Sequence, residues 1–63
     1  MERWYFKARE CNDGIDPYIA WCAQTPNLGN SPLDLVLDGF AVHAAFGKTP
    51  EEAISKLHRE VLN

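Results

Sequence analysis

One short stretch limits the folds open to this chain more than any other. From Tyr18 to Gln24, Ile19, Trp21 and Ala23 alternate with Tyr18, Ala20 and Cys22, so both faces of an extended segment would be largely apolar. A strand apolar on one face can border solvent, but one apolar on both needs cover on both sides, which puts it at the centre of a sheet. A neighbour for it precedes it. Between Arg3 and Glu10, Trp4, Phe6 and Ala8 fall on one side and Arg3, Tyr5, Lys7 and Arg9 on the other, the pattern of a half-buried strand. Asn12 to Pro17 gathers turn formers and reverses the chain between the two.

Beyond the central stretch, Pro26, Gly29 and Pro32 break regular structure over Thr25 to Asn30. Leu33 to Leu37 alternates as a strand would, and Asp38-Gly39 suits a two-residue hairpin turn, although the same residues fit one helical turn. Phe40, Val42, Ala44 and Phe46 share one face against Ala41, His43 and Ala45, which predicts a strand over Phe40 to Phe46 ended by Gly47 and Lys48. Thr49-Pro50-Glu51-Glu52 then opens a helix: Thr49 caps, Pro50 loses nothing at the first helical position, and Glu52 completes a capping box. Ala53, Ile54, Leu57 and Val61 form the stripe that this helix turns to a sheet, and Glu52 and Lys56 form an i,i+4 pair. The expected fold is α+β: a small antiparallel sheet of three strands, or four if 33–37 is extended, with one C-terminal helix packed on one face.

A chain of 63 residues holds one domain, read here as spanning 1–63. Six Lys+Arg against nine Asp+Glu leave a net charge of −3, which argues against an electrostatic grip on nucleic acid or on an anionic membrane and favours a basic partner. Apolar runs are too short to span a bilayer, and Met1 to Trp4 lacks the look of a secretory signal, so the expected compartment is the cytoplasm. Cys11 and Cys22 are then free thiols rather than a disulfide, and with His43 and His58 they lack the spacing of a zinc site. No cofactor is expected.

The strings Tyr18-Ile19-Ala20-Trp21-Cys22-Ala23-Gln24-Thr25-Pro26 and Ala45-Phe46-Gly47-Lys48-Thr49-Pro50-Glu51-Glu52-Ala53-Ile54-Ser55-Lys56-Leu57 resemble, in order and spacing, the N-terminal domain of HicB-type antitoxins. The resemblance covers Trp4 to Val61. It implies a β-β-β-α fold related to part of the RNase H fold, and a module that neutralises a small HicA-like RNase toxin, often as a homo-oligomer. Two departures stand out: an insertion at 27–39 replaces the family's short hairpin, and no DNA-binding segment follows Asn63, so binding to a promoter is not expected.

The expected function is therefore non-enzymatic protein binding. The partner-binding candidates are Asp13, Asp16, Leu33, Asp34, Leu35, Asp38, Glu51 and Glu52, the acidic turns, the insertion and the helix start. Tyr5, Tyr18 and Ala20 are candidates for an oligomer interface on a sheet face left open by a single helix. Trp4, Trp21 and Phe40 are assigned to the core. No catalytic or metal-binding residue is assigned: the aspartates fall where turns use Asp for local bonding, and His43 and His58 have no nucleophile pattern beside them. The alternatives are a phage or mobile-element inhibitor or oligomeric scaffold of the same fold without a toxin, and a double-stranded-RNA-binding module. Glu51 and Glu52 oppose the last of these, because they stand where phosphate-binding lysines would be needed.

Overall fold

The structure, a computed structural model, describes residues 3–12 and 14–62. Three strands, β1 (Tyr5–Glu10), β2 (Tyr18–Ala23) and β3 (His43–Gly47), form one antiparallel sheet in the order β1-β2-β3, with a short helix α1 (Pro32–Leu37) between β2 and β3 and a longer helix α2 (Pro50–Val61) at the end. The stretch apolar on both faces is the central strand, as its pattern requires. Phe6 stands opposite Cys22, and Cys22 opposite His43. The turn between β1 and β2 closes with the Cys11 N–H donating to the Pro17 carbonyl at 2.7 Å.

Alternation along β2 divides the core into two layers. Toward α2, Ala20 and Cys22 pack with Ala53 and Leu57, and Trp4, Phe6, Ala8, Ala45, Ile54 and Val61 fill the margins. The strand residues here are mostly small, so the helix comes close to the sheet. On the opposite face Trp21 and Ala23 pack with Leu28 and Leu35, flanked by Tyr5, Ile19 and Val42. Full burial of a side chain such as Leu57 or Trp21 contributes about 1.5–3 kcal/mol or more. α2 opens as its sequence predicts: the Thr49 hydroxyl accepts from the Glu52 N–H at 3.0 Å, and Glu52 reaches back to the Lys48 N–H at 3.3 Å.

Of the two readings open for Leu33–Leu37 the helical one holds, and the sheet has three strands; Ser31 caps α1 by accepting from the Leu33 N–H, and Pro32 takes the first helical position. Asp38-Gly39 accordingly ends this helix instead of forming a hairpin turn. Gly39 sits at φ +90 and bonds to the Val36 carbonyl, while the Phe40 N–H bonds to the Leu35 carbonyl, the double bond that ends a helix at a left-handed glycine. The third strand begins at His43 rather than Phe40, because that helix ending consumes Phe40, which is left 43% exposed instead of in the core.

Candidate protein-interaction surface

The segment joining β2 to β3 covers the sheet face that α2 leaves free, and backbone carbonyls tie it down. The Trp21 indole N–H donates to the Leu28 carbonyl at 2.9 Å, the Lys7 ammonium to Gly29 at 2.7 Å, and the Arg9 guanidinium to Asn30 at 2.7 Å. Leu28 and Leu35 are the apolar anchors. With Leu35 turned inward, the other apolar side chains of α1 point away: Leu33 is 61% exposed, Val36 54% and Leu37 75%. Asp34 and Asp38 are exposed beside them, and residues 24–42 contain no Lys or Arg. Outward apolar side chains beside exposed carboxylates make this the candidate surface.

The flanks of α1 can be assigned. A Cβ placed on Gly29 would fall 3.3 Å from Asp34 Oδ2, and Gly29 bonds to Lys7 of β1, so the Asp34 flank faces β1. Val36, about 200° farther round the helix, is on the opposite flank.

The eight partner-binding candidates do not form one surface. Leu33, Asp34 and Asp38 come together on α1, but Leu35 is 2% exposed and belongs to the core rather than to a contact surface. Asp16, Glu51 and Glu52 lie at the end of the sheet where Tyr18 pairs with Gly47, and Glu52 is engaged with Lys48 and, at 3.6 Å, with Lys56. Asp13 lies outside the described residues. The expected oligomer face is divided as well. Ala20 is fully buried beneath α2, with Tyr18 on the same side by alternation, whereas Tyr5 packs in the opposite layer. The face taken to be open is in large part covered by the 27–39 segment. Val36, Leu37 and Phe40 were not among the site candidates; the signal for them was the Ser31-Pro32 cap, which makes Leu33 to Leu37 helical and turns Val36 and Leu37 outward.

The histidines sit at the helix–sheet boundary. His58 stacks on Phe6 with centroids 4.4 Å apart, and His43 meets the edge of Trp4 at 5.4 Å with Nδ1 3.9 Å from a Glu60 carboxylate oxygen. Burial pushes the Cys22 thiol above its ordinary 9.0, the Glu60 charge adds to this, and a hydrogen bond from the His43 backbone opposes it. Because the folded state holds this proton more tightly, its contribution to stability is complete below pH 9.0 and is lost as pH rises through the higher folded value. Wild type should therefore lose stability more steeply above pH 9.0 than Cys22→Ala in urea titrations; parallel curves would contradict the assignment.

Among the described residues no three His, Cys, Asp or Glu side chains converge as a metal site, and no helix is long and apolar enough to cross a membrane. No protein-family model, curated protein or solved structure matches this chain.

Proposed function

We propose that this chain is a non-enzymatic binding module that occludes a basic protein partner, in the manner of a HicB-type antitoxin acting on a small RNase toxin. The observation that carries the reading is α1, where Leu33 and Leu37 are held outward on a segment pinned to the sheet, beside the exposed carboxylates of Asp34 and Asp38. A surface held in place loses little entropy when a partner covers it, and its charge selects cationic partners and speeds their approach. With α1 set aside, the element order is β-β-β-α, that of the fold the resemblance implies.

Co-expression with a HicA-like RNase toxin should restore growth. Asp34→Lys combined with Asp38→Lys should slow association about tenfold and weaken rescue, while Glu51→Lys, in the first turn of α2, should leave rescue intact. Growth arrest that persists although the wild-type chain is folded and soluble would overturn the reading.

A further inference from the structure

The surface proposed above for partner binding is convex. α1 stands on the sheet face with Leu35 turned inward, and among the described residues no cavity opens beside it. At about 100° per residue, Val36, Leu33 and Leu37 fall within about 100° of arc on the side opposite Leu35, so three aliphatic side chains form one outward stripe along a helix about 9 Å long. Spacing of i, i+3 and i+4 is that of the anchors by which a helix enters an apolar groove on another protein. The charge beside the stripe is one-sided. Asp34 and Asp38, one turn apart, both fall on the flank next to Leu37, while the flank next to Val36 carries Pro32 and no charge.

We infer that α1 is the inserted element of the complex: its stripe of Val36, Leu33 and Leu37 enters an apolar groove on the partner, and the partner's Lys and Arg side chains line the one rim that meets Asp34 and Asp38. The inference rests on the proposed function and deepens it, assigning the ridge to this chain and the groove to its partner. Shape and charge favour this occupant over others. Three side chains spread over that arc are covered together only by a concave surface. A second copy packed α1 against α1 offers no cation to Asp34 and Asp38, because residues 24–42 contain no Lys or Arg. An anionic membrane would repel the same carboxylates. The helix is also ready for insertion. The Leu28, Gly29 and Asn30 carbonyls ahead of it accept from Trp21, Lys7 and Arg9, so three consecutive residues are anchored and little ordering is left to binding. One-sided charge sets the direction of docking, since α1 reversed in the groove would carry its carboxylates to the rim without cations.

Binding kinetics on an immobilised, inactivated HicA-like RNase toxin separate the two parts of this surface. Leu33→Ala, Val36→Ala and Leu37→Ala should each raise Kd at least about fivefold, chiefly through faster dissociation. Ile15→Ala, at an apolar side chain 84% exposed in the β1–β2 turn, should not change it. Asp34→Asn combined with Asp38→Asn should slow association about threefold at low salt and leave dissociation within about twofold. Urea midpoints of the three alanine variants should match wild type, because none of these side chains belongs to either core layer. An effect at fewer than three of the apolar positions, in a complex that still forms, overturns the insertion and leaves the proposed function standing. A wild-type dimer that Leu37→Lys dissolves also overturns it, because α1 is then covered by its own copy. Failure of the folded wild-type chain to bind the toxin overturns the proposed function and the insertion together.

Discussion

Trp21→Ala should leave most of the chain unfolded at room temperature. Trp21 is fully buried on the central strand, and removing a buried indole typically costs about 3–5 kcal/mol. At the usual ~0.05–0.15 kcal/mol per residue, a domain this small has only a few kcal/mol to lose. Trp21→Phe separates packing from the hydrogen bond. It keeps most of the ring volume but removes the N–H that satisfies the buried Leu28 carbonyl, a loss of roughly 1–3 kcal/mol. Urea denaturation followed by circular dichroism measures both variants, and amide exchange locates the second effect: exchange should quicken over Leu28–Leu37 and stay slow in α2. Unchanged exchange over Leu28–Leu37 would show that the indole bond does not pin the segment.

Gly47→Ala should also destabilise strongly, by about 2–3 kcal/mol, the upper part of the overpacking range. A Cβ at this position would lie 2.7 Å from the Ala53 backbone nitrogen and 3.1 Å from its Cα. Backbone atoms cannot swing aside as a side-chain tip can, so α2 would have to lift from the sheet. The melting temperature should fall by about 10 °C or more, given about 4–8 °C per kcal/mol in a domain of this size. Gly14→Ala is the contrasting case. Its φ of +80 strains any other residue, but nothing lies within 4 Å, so the loss should stay near 1 kcal/mol. Equal losses at the two positions would mean that close approach of α2 is not what requires Gly47.

The difference between α2 and α1 shows what was legible in advance. Both begin with the same grammar, a hydroxyl cap followed by proline and early acid: Thr49-Pro50-Glu51-Glu52 and Ser31-Pro32-Leu33-Asp34. In α2 twelve residues let the 3.6 period declare itself. In α1 only six are available, and Leu33, Leu35 and Leu37 read equally well as alternation. The cap at Ser31 and the glycine at Gly39 were the informative signals, and the leucine pattern was the misleading one. The helix ending at Gly39 also moves the start of the third strand from the expected Phe40 to His43 and leaves Phe40 outside the core.

The candidate site was legible in composition but not in placement. Asp34, Asp38 and Leu33 could be named because a cation-free, leucine-rich insertion is visible in the chain, but which leucine faces inward depends on where Trp21 holds the segment. The helix sets Leu35 and Leu37 on different sides, and the bond from Trp21 decides that Leu35 is the one in the core.

By itself, the sequence determined the elements whose signals are local or complete: β2 as a central strand, because a strand apolar on both faces has no other place, and α2, because its cap, proline and stripe agree. Tertiary structure alone decided what covers the second face, which separates Asp34 and Asp38, on the helix over that face, from Asp16, Glu51 and Glu52 at the end where Tyr18 pairs with Gly47, and buries Ala20 and Leu35. Those outcomes depend on long-range contacts, Trp21 with Leu28, Lys7 with Gly29 and Arg9 with Asn30, between residues whose local sequence carries no sign of the partner.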